Sequence, residues 1–425
     1  MTIIVILLVS FYSLPVYSLE LWSEATGEHI LELNSSLKGS WLGNRYQPSA
    51  LVMGGLPIGE RDSVLTYWRF RLDFTGRYVE RINYEIAYEH RIRDVMNGSG
   101  QAAGAGVLPS EASAPYRISQ LDQPVSVRGT TFSHRHELDR ALVAFHHSRG
   151  ELIVGRQAVG LGRGVLFSSV DIFSPFSPLE VDREWRRGID AVNAEYNLSD
   201  TWSLGVVAAF GDTSNDSAYI ARLRGYQGRF DGELILGRRA RDYLYGLSVS
   251  ATIMGAEIHG ELAAFDTPGD EAYEGGLFGS DHYVGKIVLG GSYTFDVGSG
   301  LYTLLEYHFS GFGTRRIETA AQRLLNPSYL ARYLRGDTQI TGQEALALQI
   351  SYDVDPGLTA GLLLLTSPND GSGIISPSLT LNYAEDVTIV GTVYLPFGNE
   401  PAAGVVRSEY GASPRSCFLQ VRFYH

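Results

Sequence analysis

The connections between the strands constrain this chain more than the strands themselves do. Eighteen candidate strands with period-two alternation lie at roughly 28–38, 64–76, 79–91, 133–146, 150–157, 188–197, 201–210, 217–226, 230–238, 242–252, 256–265, 281–296, 301–311, 342–353, 357–366, 374–384, 387–395 and 415–424. Two kinds of link take turns between them. One set is tight, around Gly76-Arg77, His147–Gly150, Leu198–Asp200, Gln227–Arg229, Met254-Gly255, Val297–Gly300, Asp353–Pro356 and Ala384–Asp386. The other set is mostly long, at 39–63, 92–132, 158–187, 211–216, 266–280, 312–341, 367–373 and 396–414, with Arg239–Arg241 as the short exception. A soluble sandwich has no reason to sort its loops this way. A membrane barrel does, with short turns at one rim and long loops at the other. The expected fold is all-β: a transmembrane antiparallel β-barrel of about eighteen strands, or sixteen or twenty if a hairpin has been split or merged.

The strands carry the matching chemistry. Trp68, Phe70, Leu72 and Phe74 alternate with Tyr67, Arg69, Arg71 and Asp73, and Ile82, Tyr84, Ile86 and Tyr88 alternate with Arg81, Asn83, Glu85 and Glu89. A half-buried soluble sheet alternates in the same way. The charges point further. An arginine facing lipid at mid-depth costs about 2–4 kcal/mol. The expected lumen-facing set is therefore Arg69, Arg71, Arg81, Glu85, Arg91, Arg222, Arg224, Glu306 and Arg422, together with Glu233, Glu257 and Glu261.

Composition narrows the class. The 425 residues show no break that would divide them into domains. After the N-terminus there is no run of ~18 apolar residues of the kind a membrane-spanning helix needs. Residues 1–18 read as a secretory signal with an apolar core at Ile3–Val9, although no Lys or Arg precedes it, which leaves 19–425 as one barrel domain. Glycine (48) and tyrosine (25) are abundant, and tyrosine favours membrane–water interfaces. A single cysteine, Cys417, excludes an internal disulfide, so hydrogen-bonded closure must supply the stability. Only Lys38 and Lys286 are lysine, so 32 of the 34 basic residues are arginine, in a chain of net charge −13. Arginine suits bidentate pairs with carboxylates or phosphates, hence a lumen of ion pairs or contact with lipopolysaccharide. The acidic balance argues against nucleic acid as a partner.

One connection stands apart. Gly155–Asp190 reads GRQAVGLGRGVLFSSVDIFSPFSPLEVDREWRRGID, with glycines at 160, 162 and 164, prolines at 175 and 178, and charges crowded into Asp182–Arg187. Loops beyond about 15 residues without structure of their own are usually functional. The glycine spacing is not that of a nucleotide-binding turn, which needs G-x-G-x-x-G opening a helix. The expectation is that 158–187 folds into the barrel and narrows it. His134-Arg135-His136 sets two histidines on one strand face, a spacing that can hold a metal, but no further ligand is near in sequence.

The GRQAVGLGRG segment and the following SSVDIFSPFSPLEVDREWRRGIDA resemble a run found in proteobacterial outer-membrane porin-like barrels, including relatives of the alginate-export barrels. The last residues, Ser416–His425, are similar to the C-terminal signal strand of bacterial outer-membrane proteins, with His425 where an aromatic residue usually stands. The resemblance implies a bacterial outer-membrane channel for passive passage of small hydrophilic solutes, or export of a polyanion, and the arginine enrichment leans the solute toward anions. It places Arg156, Arg163, Asp171, Asp182, Arg183, Arg186 and Arg187 near the constriction. It implies no cofactor, no metal and no catalysis. The implied partners are outer-membrane lipid, lipopolysaccharide, the solute, and the barrel-assembly machinery through the last strand. A barrel sheath within a larger assembly, an outer-membrane hydrolase and a closed structural barrel remain open alternatives.

Overall fold

A computed structural model of the chain describes residues 19–23, 28–53, 56–57, 60–97, 106–109, 115–120, 122–128, 131–268 and 282–425. The expected signal segment 1–18 and most of the glycine-rich tip 98–106 lie outside the described residues.

The wall is built from β1 (His29–Arg45), β2 (Asp62–Tyr78), β3 (Ile82–Met96), β4 (Phe132–His147), β5 (Gly150–Gln157), β6 (Ile189–Asn197), β7 (Trp202–Ala209), β8 (Ala218–Gln227) and β9 (Phe230–Arg239). It continues through β10 (Asp242–Ile253), β11 (Ala256–Asp266), β12 (Tyr283–Phe295), β13 (Leu301–Ser310), β14 (Glu344–Asp355), β15 (Leu358–Thr366), β16 (Gly373–Ala384), β17 (Val387–Phe397) and β18 (Arg415–Tyr424). Each strand pairs antiparallel with its neighbour in sequence, and β18 closes on β1 from Ser36↔Tyr424 to Arg45↔Arg415. The result is a closed barrel of eighteen strands, so the readings of sixteen and twenty fall away. Closure leaves the eighteen-strand wall without a free edge, the condition for crossing lipid with strands.

Burial is inverted relative to a soluble sheet. Leu152 and Val154 on β5, Leu234 and Leu236 on β9, and Tyr243, Tyr245, Leu247 and Val249 on β10 are exposed, while Lys38, Arg69, Arg71, Glu89, Arg91 and Glu233 are buried. Apolar side chains pointing outward and charged ones inward describe a wall solvated by lipid. Cys417 is exposed on this outer face.

The first strands run longer than the sequence pattern predicts. β1 continues to Arg45 and β2 begins at Asp62, because Ser40, Leu42 and Asn44 keep filling the inward positions. β5 is only eight residues long. It leaves the wall at Gln157 to enter the long loop, and a strand from the 92–132 connection, Asp122–Arg128, takes its vacated lane on β4 through Glu137↔Asp122 to Phe132↔Arg128. The 312–341 connection holds a helix, Pro327–Arg335. Asn326 accepts from Ser328 N at 2.9 Å, Pro327 opens the first turn, and Gly336 ends it at φ 85°, the asymmetry expected of helix ends.

Candidate functional site

The loop 158–187 lies inside the barrel. Val159, Leu161, Val170, Ile172 and Phe173 pack on inward apolar residues of β6–β12, among them Ile189, Val207, Ile220, Ile235, Leu244 and Phe265. Leu166 and Phe167 reach a second apolar cluster with Leu304, Leu365, Ile374, Tyr394 and Phe418. Burial of a side chain the size of Phe167 contributes about 1.5–3 kcal/mol. The loop is thus seated against the wall from β6 round to β18.

Its backbone is held by two buried carboxylates. Glu261 on β11 accepts from Gly164 N at 2.7 Å, Ser169 N at 2.6 Å and Ser168 Oγ at 2.9 Å, and also from Arg163 N. Glu306 on β13 accepts from Val165 N at 2.6 Å, Leu166 N at 2.8 Å and Phe167 N at 3.1 Å, and His259 Nε2 lies 2.8 Å away. Gln339 adds a third clip, accepting from Ser168 N at 2.9 Å and donating to Phe176 O at 2.7 Å. The glycines of GRQAVGLGRG permit this approach. Gly162 has φ 88°, and a Cβ there would lie 2.2 Å from a Glu261 oxygen; one on Gly164 would lie 1.8 Å from Phe167 O.

Opposite this seat, β1–β4 present an ion-pair ladder. Glu89 accepts from Arg69 at 2.6 and 3.0 Å and from Arg71 at 2.6 Å, and Arg71 also meets Asp139 at 2.9 Å. Glu137 pairs with Arg91, Arg117 and, at 3.7 Å, Arg187. Lys38 clasps Asp182 at 2.8 Å and Glu184 at 2.6 Å, with its ammonium 3.7 Å from the Trp185 ring centre. Burial works to raise Asp182, yet Lys38 and Arg69 hold it below the usual carboxylate range. Lys38, Arg69, Arg71, Arg91, Arg117, Arg140 and Arg187 stand against Asp73, Glu85, Glu89, Glu137, Asp139, Asp182 and Glu184, seven against seven. The ladder is compensated, so arginine content alone gives no strong anion field.

The residues expected at the constriction are distributed as follows. Arg156 ends β5 and meets Asp190 at 2.7 Å and the carbonyls of Leu138 and Ser119. Arg163 pairs with Asp231 on β9. Asp171 pairs with Arg186 inside the loop, and Arg186 also donates to Ser174 O. Arg183 donates to the carbonyls of Val165, Ser177, Pro178 and Glu180 and so ties the loop to itself. Among the expected lumen residues, Arg222 reaches Glu195 at 3.1 Å, Arg224 lies 3.6 Å from Glu233, and Glu85 lies 3.7 Å from Arg71. Arg422 donates to Gln420 at 2.6 Å. Arg81 lies in the tight turn between β2 and β3, where it is exposed. The alternation it continues ends at that turn.

Two cavities flank the loop. One is lined by Arg69, Glu89, Arg91, Glu137, Asp139 and Arg187 with Phe173–Phe176 and the end of the Pro327–Arg335 helix. The other lies between loop residues 178–181 and a hydroxyl-rich wall of Ser351, Thr359, Ser376, Ser378, Thr380 and Thr392, with Arg183 and Arg422 also in its lining. Glu180 lines both. Arg156, Arg163, Arg186, Arg222, Arg224 and Glu306 do not line either cavity.

Burial pushes the Glu180 carboxyl up to about 7, opposed by the Ser177 N–H and Arg183. Asp182 adds to the rise and Arg69 opposes it. Because the folded value lies above the ordinary 4.5, the stability tied to this group is present below pH 4.5 and is lost as pH rises through about 7. The same titration adds a negative charge between the cavities. Cation preference should therefore rise with a midpoint near pH 7, read as reversal potential under a salt gradient. Glu180→Gln should abolish that midpoint. Glu409, also pushed up to about 7 by burial but anchored to Thr341 N and Gly342 N, should leave it in place when changed to Gln.

No protein-family model matches the sequence, and no curated protein matches it. Solved structures do match in fold. OccAB2 of Acinetobacter baumannii superposes with a TM-score of 0.56 at 9% identity, over 93% of this chain and 98% of that one. OccAB1 of the same organism gives 0.55 at 7% identity, over 96% and 98%. OccK8 (OprE) of Pseudomonas aeruginosa gives 0.53 at 11% identity, over 93% and 98%. At these identities the likeness is one of architecture.

Proposed function

We propose that this chain is a porin of the bacterial outer membrane, passing small hydrophilic solutes passively through a lumen narrowed by residues 158–187. The observation that carries the reading is the loop clamped across the lumen, with a polar cavity on either side of it, inside a wall whose outer face is apolar. The structural neighbours are outer-membrane porins of the Occ/OprD group. Passage through such a lumen involves size and charge only. Solute oxygens and nitrogens find hydroxyls on the β14–β17 side and compensated ion pairs on the β1–β4 side, so water shed at the narrowing is replaced by fixed dipoles. Fixed charge at the narrowest point sets selectivity, and Arg183, Arg187 and Glu180 are the groups there.

Outer-membrane lipid surrounds the apolar belt, residues 1–18 serve as the export signal, and β18 is the strand offered to the assembly machinery. Export of a long polyanion is the second reading, from the resemblance to alginate-export barrels. The compensated ladder and the seated loop favour small solutes over it.

Single-channel recording of the refolded mature chain in a planar bilayer is the test. Discrete steps are expected, with ion selectivity shifted toward cations in Arg183→Gln and Arg187→Gln. A folded, heat-modifiable barrel that gives no steps would overturn the porin reading.

A further inference from the structure

The outer face of the wall carries one feature that conduction does not use. Tyr88 and His90 on β3 and His134 and His136 on β4 share the outward side, next to the exposed Phe70 and Ile92. His90 stands opposite His136 in register, and Ile92 opposite His134. Polar side chains are costly on a lipid-facing surface, and these three imidazoles are grouped. The ring centres of His134 and His136 lie 5.5 and 5.9 Å from that of His90. The group stands above the level where β5 leaves the wall, where β4 pairs instead with the Asp122–Arg128 strand. It is therefore at the long-loop margin, within reach of water.

The polar atoms form a chain. His134 Nε2 lies 3.3 Å from His90 Nδ1, His90 Nε2 lies 2.6 Å from the Tyr88 hydroxyl, and that hydroxyl lies 3.2 Å from His136 Nδ1. One proton per ring suffices to complete this chain, and the neutral imidazole is the form that binds metal. Zinc–nitrogen bonds run about 2.0–2.1 Å, and two of them at a tetrahedral angle set their nitrogens about 3.3–3.4 Å apart. The separation of His90 Nδ1 and His134 Nε2 is 3.3 Å.

We propose that His90 and His134 form a two-imidazole chelating site for a divalent transition-metal ion such as Zn²⁺ or Ni²⁺. Occupancy requires only that His134 move its proton from Nε2 to Nδ1, with no net proton released. His90 then presents Nδ1 to the ion while its Nε2–H donates to the Tyr88 oxygen, the outer hydrogen bond that fixes a ligating ring. Among the described residues no three His, Cys, Asp or Glu side chains form a ready-made cage. The remaining positions are filled by water, or by His136 once its ring turns away from Tyr88.

The test is equilibrium dialysis and calorimetry with Zn²⁺ and with Ni²⁺ on the full mature chain, folded in detergent and free of any polyhistidine tag. One ion per barrel is expected, weakened at least about tenfold by His90→Ala or His134→Ala and about tenfold by Tyr88→Phe acting through its hydrogen bond. His146→Ala and His147→Ala should leave it unchanged. X-ray absorption of the loaded wild type should show imidazole nitrogens at about 2.0–2.1 Å. Absence of saturable one-to-one binding, or binding that survives both His90→Ala and His134→Ala, would overturn the site. Neither outcome depends on whether the barrel conducts.

Discussion

Glu306→Ala should release the constriction loop while leaving the barrel standing. The substitution removes the acceptor for Val165 N, Leu166 N and Phe167 N and the partner of His259. A buried N–H left without an acceptor costs about 1–3 kcal/mol. Two of the three, those of Leu166 and Phe167, are buried, while Val165 is exposed, so the docked loop should lose at least about 2 kcal/mol. At about 1.4 kcal/mol per tenfold, the undocked population rises at least about twenty-fivefold. The strand-to-strand hydrogen bonds of β12, β13 and β14 are untouched, so heat-modifiable migration should persist. Single-channel traces should become noisier with a larger mean step, and protease should cut within 163–170. Glu306→Gln, which keeps an acceptor oxygen without the charge, should fall between. Wild-type conductance and protection in the alanine variant would mean that Glu261, Gln339 and the apolar contacts hold the loop without Glu306.

The loop's existence was legible in the sequence and its fastening was not. A thirty-residue connection rich in glycine between two short strands announces itself. The carboxylates that hold it lie 92 to 141 residues further along the chain, and on their own strands they are two more inward acids. Glu261 and Glu306 were readable as lumen-facing because alternation fixes the side of the wall. What they touch depends on which lumen segment arrives there. Lys38 was hidden for a different reason: its strand appeared to stop at that residue, although Ser40, Leu42 and Asn44 continue the inward pattern to Arg45. The helix Pro327–Arg335 had its signals in plain view, with Asn326-Pro327 before it and Gly336 after it, within a stretch whose length marked it as loop. The Asp122–Arg128 strand could not be foreseen, since it exists to fill a lane that β5 vacates.

Glu89→Gln should shift ion selectivity clearly toward anions. Glu89 is 2% exposed and is the shared acceptor of Arg69 and Arg71, and it lines the cavity beside Arg91 and Arg187. Neutralising it leaves the seven-against-seven set with one positive charge in excess. At an effective dielectric near 40 and a distance of about 8 Å, a unit charge favours an anion and opposes a cation by about 1 kcal/mol each, so the anion-to-cation permeability ratio should rise about thirtyfold. Arg187→Gln removes a cation from the same cavity and should move the ratio about as far the other way. Opposite shifts from two neighbouring sites separate a field effect from general damage. Loss of one partner in a buried ion pair also costs about 3–5 kcal/mol. The melting temperature should therefore fall for Glu89→Gln, and by less for Arg187→Gln, whose side chain is 19% exposed and 3.7 Å from Glu137. Reversal potentials under a salt gradient read the selectivity, and equal shifts of the same sign in both variants would remove this cavity from the conduction path. Selectivity would then rest on the hydroxyl-lined cavity and on Arg183 and Arg422 in its lining.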